Sequence, residues 1–375
     1  MSTYVDIHII QNLPPSCVNR DDSGSPKSAV YGGVRRLRVS SQSWKRATRL
    51  YFNDLLNTSD VGIRTKRVVE LLAAKVTDRA PELAESALPL AESVFKATKI
   101  KLSPPRGKKD APQESGYLLF LSTSQVARLA ELAISSARSG DSLDVKEVKK
   151  IFKEAHAVDI ALFGRMVADD TDLNVDAACQ VAHAISTHAA DNEYDFFTAV
   201  DDEKSRSEEE DAGAGMMGTV EFSSATMYRY ATINLDMLVE NLGDRAAALR
   251  ALEVFVKGFC LSMPTGKQNT FANRTVPETI LVSVRDDQPV SLVGAFEDAV
   301  PRDERRGYLN RSVDKMARHA KEIEDNYGLR PVSSLVVALK DSDAVLELGE
   351  RVSFADLPVR VREVVEPRLV GEESD

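Results

Sequence analysis

Strand patterns open and close this chain, and helix patterns fill the middle. Residues 4–10, YVDIHII, alternate: Val5, Ile7 and Ile9 fall on one side, Tyr4, Asp6 and His8 on the other. A period of two marks a strand. VRRLRVS repeats it, with Arg36 and Arg38 on one face and Leu37 and Val39 on the other. From about residue 60 to about 190 the spacing turns helical, in ELAESALPLAESVFKAT, TSQVARLAELAISSA, VKEVKKIFKEA and DAACQVAHAISTH. Strands return in EYDFFTAV, TVEFSSATMYRYATINL, ETILVSV and SSLVVAL. Helices are expected over DRAAALRALEVFVKGFCLSM, RSVDKMARHAKEIEDNYG and DLPVRVREVVEPRL. Strands at both ends around a helical middle indicate an α+β fold, one sheet domain split by a helical insertion.

Residues 33–49, GVRRLRVSSQSWKRATR, carry six bases and no acid, although the whole chain has a net charge of −10. A local basic surface survives in an acidic protein because the field that matters is local. Ser40 or Ser41 fits the N-cap of a helix over residues 42–56. Trp44, Ala47, Thr48, Tyr51 and Leu55 would form its buried face, and Gln42, Lys45, Arg46 and Arg49 an adjoining stripe. Arg is suited to bidentate phosphate contact, and serine hydroxyls and a helix N-terminus add neutral donors. Such a surface is either a solvated face or a grip on a nucleic-acid backbone.

The stretch NLPPSCVNRDDSGSPKSAVYGG reads as a long loop. EYDFFTAV and TVEFSSATMYRYATINL flank DDEKSRSEEEDAGAGMMG, which suggests an extended hairpin with Met216 and Met217 near its tip. Residues 201–211 hold seven acids and two bases. The Gly266–Gln268 sequence lacks both the first glycine and the Ser/Thr of a P-loop. His183 and His188 are five apart with no intervening glutamate, which does not fit a helical zinc pair; His183 reads as an ordinary helix residue. No hydrolytic triad and no metal or cofactor site is legible. Cys17, Cys179 and Cys260 are scattered, as expected of reduced, buried thiols in a cytoplasmic protein. No apolar run reaches the roughly 20 residues needed to cross a bilayer. The N-terminus, without a basic leader, reads as mature sequence.

The ordered blocks PPSCVNRDD, YGGVRRLRVSSQSWKRATR, DIALFGRM, AHAISTHAADNEYDFFTAVDD and GTVEFSSATMYRYATINL resemble the CasC family, the repeated backbone subunit of the type I-E CRISPR Cascade complex. The resemblance runs from residue 1 to about 270. It implies a palm of ferredoxin-like, RNA-recognition-like fold over residues 1–58 and 182–375. Helical fingers would span 59–181, and a protruding β-hairpin thumb about 195–225. It implies a non-catalytic protein whose copies stack head to tail along one CRISPR RNA. They would kink the guide at intervals and leave its bases free to pair with a target DNA strand in antiviral defense. Further copies of the chain and other Cascade subunits would be its partners, with no membrane and no cofactor. Lys45 and Arg49 match positions facing the guide phosphates, with Arg46 beside them. Arg20, Lys27, Arg36, Arg38, Ser40 and Gln42 match the same surface. Met166 matches an apolar residue against the bases, and Lys267 and Gln268 a polar loop near the backbone. The acidic residues before Met216 are more than the resemblance leads one to expect. The rival reading is a metal-dependent ribonuclease acting through Asp21 or Asp22, although NRDDSG is also turn chemistry.

Overall fold

The alternating N-terminal segment forms strand β1 (Tyr4–Ser16), followed by β2 (Ser28–Tyr31), β3 (Val34–Val39) and helix α1 (Ser41–Phe52). The structure, a computed structural model, describes residues 2–108, 110–199, 216–340 and 342–369. The middle of the chain contains β4 (Gly62–Thr65), α2 (Val68–Arg79), α3 (Ala87–Ala97), β5 (Leu102–Ser103) and β6 (Glu114–Ser115). It continues through β7 (Leu119–Ser122), α4 (Thr123–Ser139), α5 (Val145–Lys153) and α6 (Val158–Phe163). Then come β8 (Cys179–Val181), β9 (Ala184–Ser186), β10 (Glu193–Ala199), β11 (Met216–Asn234), α7 (Leu235–Leu242), α8 (Arg245–Leu261) and α9 (Gln268–Phe271). The chain ends with β12 (Thr279–Arg285), α10 (Leu309–Tyr327), β13 (Ser333–Ala338), α11 (Asp343–Leu346), β14 (Glu350–Arg351) and α12 (Leu357–Val365).

The fold is mixed α+β around one large sheet, ordered β14-β13-β12-β1-β11-β9-β3-β2, with β8 and β10 also paired to β11. β1 lies between β11 and β12, antiparallel to both. Both its edges are therefore paired, and a separate core covers each face. Val5, Ile7 and Ile9 pack in one core with Phe255, Phe259 and Val361. Ile10 joins a second core with Met316, Val336 and Phe296. Asp6 and His8, on the face opposite Val5, Ile7 and Ile9, are fully buried as well. Asp6 is tolerated there because its carboxylate accepts from Arg285 Nε at 3.0 Å, Tyr230 Oη at 2.9 Å and the Val290 amide at 2.9 Å. Residues 68–173 supply a separate core in which Leu72, Val76, Phe95, Leu129 and Phe152 meet. Gln125 and Ser122 close a reciprocal capping box at the start of α4.

Three local expectations are corrected. DAACQVAHAISTH is not helical: Cys179–Val181 and Ala184–Ser186 are short strands that pair with the 19-residue β11. The demand of that long edge for partners outweighs the helix propensity of the alanines. His183 accordingly sits between two strands. The loop expected after residue 10 is shorter, since β1 runs to Ser16 and β2 pairs with β3. α1 ends at Phe52, four residues before the expected limit.

Candidate nucleic-acid interface

α1 is set in place from three sides. Ser40 is its N-cap, its hydroxyl facing the Ser43 amide at 3.4 Å, while Asn19 Oδ1 accepts from the Ser40 amide at 2.8 Å. Trp44, Ala47, Thr48 and Phe52 are buried. Phe52 packs against α8 at Gly258, where an added Cβ would sit 3.0 Å from the ring. Beneath Trp44 lies the fully buried Arg229, its guanidinium carbon 3.7 Å from the indole centroid and its nitrogens on Gln11 Oε1 and the Phe259 carbonyl.

The opposite side of α1 presents the charge. Gln42 and Arg46 are exposed, and Lys45 and Arg49 are half-buried. Lys45 Nζ lies 5.6 Å from the Phe163 ring centre. Arg49 lies 4.3 Å from the centre of Phe120, and its Nε donates to Asp159 Oδ2 at 3.0 Å. Arg46 also borders a cleft of about 660 Å³ between α1 and the 262–274 loop, whose other wall includes Met263, Gln268, Asn273 and Arg274. That loop is pressed onto β1's exit at Gly266, where a Cβ would overlap the Cys17 and Val18 carbonyls. The contact brings Lys267 and Arg20 near Cys17. Burial raises the thiol's pKa, and the charges of Lys267 and Arg20 only partly oppose it.

A second basic group lies on the β2–β3 hairpin. Arg38 donates from Nε to the Ser28 carbonyl at 3.3 Å and places Nη1 3.0 Å from His183 Nδ1. Burial, then the charges of Arg38 and Lys27, lower the His183 pKa. The neutral ring therefore accepts from Arg38 at ordinary pH. Met166 is 78% exposed, three residues beyond the Phe163 that lies under Lys45. Met216 and Met217 are exposed at the start of β11, opposite Ala199 and Thr198. Neighbours in a strand point to opposite faces, so the two methionines do not share a side of the hairpin. Tyr194 and Phe196 are equally exposed and stand on the same face as Met217.

The family model described as CT1975-like protein matches residues 5–358. The chain belongs to the CT1975-like protein family. Chains of similar fold are also found among solved structures. This one is similar, at 35% identity and a TM-score of 0.85, to a chain of a structure described as "CRISPR RNA-guided surveillance complex, pre-nicking". The match covers 96% of this chain and 99% of that one. A second, described as "CRISPR RNA-guided surveillance complex", is 30% identical with a TM-score of 0.76 and the same coverages. Comparison with the curated proteins returned no match.

Within this CT1975-like chain the expected site residues separate into groups. Gln42, Lys45, Arg46 and Arg49 share one side of α1; Gln268 lines the cleft that Arg46 borders, and Lys267 and Arg20 lie near Cys17; Lys27 and Arg38 lie on the adjoining hairpin. Two residues are corrected. Arg36 is fully buried and donates to the carbonyls of Tyr31, Ser186, Phe296 and Glu297, so no phosphate reaches it. Ser40 is 4% exposed and its hydroxyl is spent on the cap. Asp21 Oδ1 accepts from the Ser23 amide, the Ser23 hydroxyl and the Ser25 amide, an Asx turn whose hydrogen bonds, that of the Ser23 hydroxyl first, lower its pKa. Among the described residues no group of three or more His, Cys, Asp or Glu is placed to hold a metal ion. No described helix is long and apolar enough to cross a membrane. All three cysteines are free and buried. The acidic residues 201–211 lie outside the described residues. Sequence reading missed Asp159, Phe120, Phe163, Tyr194 and Phe196. The first three are distant in sequence from α1; the last two were visible as the aromatics of EYDFFTAV.

Proposed function

We infer that this chain is a non-catalytic, CRISPR RNA-binding subunit of a Cascade-type surveillance complex, the CasC-like backbone subunit of a type I-E system. Its copies stack head to tail along the guide in the cytoplasm, beside other Cascade subunits. Residues 1–58 and 182–375 form the palm, 59–181 the fingers and the hairpin of about 195–225 the thumb. The observation that carries the reading is the likeness, over nearly the full length of both chains, to a chain of an RNA-guided surveillance complex. The cationic side of α1 gives it a physical basis. Lys45, Arg46 and Arg49, with Gln42, Arg20, Lys27, Arg38, Lys267 and Gln268, hold phosphates without reading bases. Met166 and the exposed residues of the hairpin lie against bases and keep the guide kinked. The remaining bases pair with target DNA.

The test is RNA binding as a function of salt. Lys45→Ala and Arg46→Ala should each weaken binding to every guide sequence alike and reduce the log–log salt slope by about 0.7–1. Losses confined to particular sequences, or slopes that do not move, overturn the reading. RNA should stay full length in magnesium. Cleavage abolished by Asp21→Ala or Asp22→Ala would make the chain a ribonuclease.

A further inference from the structure

We propose that Asp159 is a positioning residue for RNA binding. It holds Arg49 so that the two terminal guanidinium nitrogens form a preset fork for one phosphate. The proposal rests on the RNA-binding reading above and assigns a role to a carboxylate far from α1 in sequence.

Three elements converge to build this arrangement. Asp159 stands in the first turn of α6, its side chain 2% exposed. Oδ2 accepts from Arg49 Nε at 3.0 Å, and Oδ1 accepts from the Gly62 amide of β4 at 2.8 Å. Both oxygens are engaged, so the carboxylate cannot turn. Gly62 is needed for the approach, because a Cβ there would lie 2.7 Å from Phe120 and 3.0 Å from Asp159 Oδ1. Phe120, from β7, lies under the guanidinium at 4.3 Å. Arg49 is thus fixed at one edge by a carboxylate and across one face by a ring.

What remains is the edge bearing Nη1 and Nη2. Neither nitrogen has a hydrogen-bond partner among the described residues, and the side chain keeps 21% of its surface exposed. It shares a side of α1 with Lys45 and Arg46, one helical turn away. Two parallel N–H groups are the geometry that a phosphate accepts from. Holding them in place before RNA arrives removes the ordering that a free arginine loses on binding. A lysine at this position would keep the charge and lose the fork.

The experiment measures RNA affinity, its salt slope and melting temperature for wild type, Asp159→Asn, Arg49→Lys, Arg49→Ala and the double variant Asp159→Asn/Arg49→Ala. Asparagine offers one uncharged acceptor where two donors need one each, so the clamp on Arg49 is loosened with little change of shape. Asp159→Asn should weaken RNA binding roughly three- to tenfold, and should add nothing in the Arg49→Ala background. Arg49→Lys should bind nearly as weakly as Arg49→Ala. A purely structural clamp predicts a lower melting temperature with affinity and slope unchanged, which overturns the proposal. So does tighter binding with a steeper slope, which would mean that Asp159 sequesters Arg49. Should Asp159→Asn fail to fold, Arg49→Lys decides alone: binding equal to wild type overturns the proposal. If Lys45→Ala and Arg46→Ala weaken binding while every Arg49 variant does not, this inference alone fails. If the wild type binds no RNA, the underlying reading fails with it.

Discussion

Arg36 separates charge that holds the fold from charge that holds a ligand. Its Nε donates to the Tyr31 carbonyl at 3.1 Å, Nη1 to Ser186 at 3.1 Å, and Nη2 to Phe296 at 2.8 Å and Glu297 at 3.2 Å. Replacing it with alanine leaves four carbonyls without their donor beneath the β2–β3 hairpin. An unsatisfied buried polar group costs about 1–3 kcal/mol, and water entering the vacated space recovers some of that. A total of about 3–5 kcal/mol is in the range for breaking a buried charged network. Unfolding entropy of about 2.1 cal/mol/K per residue, over 375 residues, converts this to a melting temperature lower by roughly 4–6 °C. Arg36→Ala should show that drop by calorimetry or near-UV circular dichroism, with unchanged RNA affinity per folded molecule and an unchanged salt slope. Lys45→Ala should do the reverse: a melting temperature within about 1 °C of wild type and a flatter slope. An Arg36→Ala protein that melts like wild type yet loses a phosphate contact would refute the reasoning and return Arg36 to the binding surface.

Two further outcomes follow from buried groups. Burial, with Arg285 adding to it, lowers the His8 pKa to about 3, and burial, with Arg165 next, lowers that of His156 to about 4. Both would titrate near 6.5 in the unfolded chain. The unfolded state then takes up protons that the folded state refuses. Their stability contribution is complete above about pH 6.5 and is lost as pH falls toward 4 and 3. His8→Gln should remove about one proton's worth of that dependence, roughly 1.4 kcal/mol per pH unit between pH 6 and 4; denaturant melts with an unchanged pH slope would contradict it. At the hairpin turn, Gly32 (φ +58°) faces the Glu297 carbonyl, which a Cβ would overlap, whereas Gly33 (φ +75°) has nothing within 4 Å. Gly33→Ala should cost only the left-handed backbone, about 1–2 kcal/mol, and Gly32→Ala clearly more. Equal melting temperatures would count against the turn as described.

Period-two and period-3.6 patterns were enough to find β1, β3, β11, β12, β13, α1, α8 and α10; in the helices the burial follows the spacing, whereas β12 is buried at all seven of its positions. They failed at residues 176–188, where alanines favour a helix but the edge of β11 needs strands. They put Asp6 and His8 on the other face of β1 but could not show that a second layer buries that face too: alternation shows two faces, not what covers them. Charge pattern alone grouped Arg36 with Arg38. One faces inward to four carbonyls and the other faces His183, a difference set by where the 292–297 segment folds back. Asp159 was invisible as a partner of Arg49 because 110 positions separate them and only tertiary packing joins α6 to α1. The basic side of α1 was legible because its residues are local and helical geometry fixes their direction.

Assembly of several copies along one intact guide is what distinguishes a backbone subunit from a lone RNA-binding protein. The direct measurement is a titration of purified protein into labelled CRISPR RNA with magnesium, run on native and denaturing gels in parallel. A stepwise native ladder is expected, one step for each added copy, over RNA that remains full length. Shortened RNA on the denaturing gel, or a single complex that never extends, would contradict it.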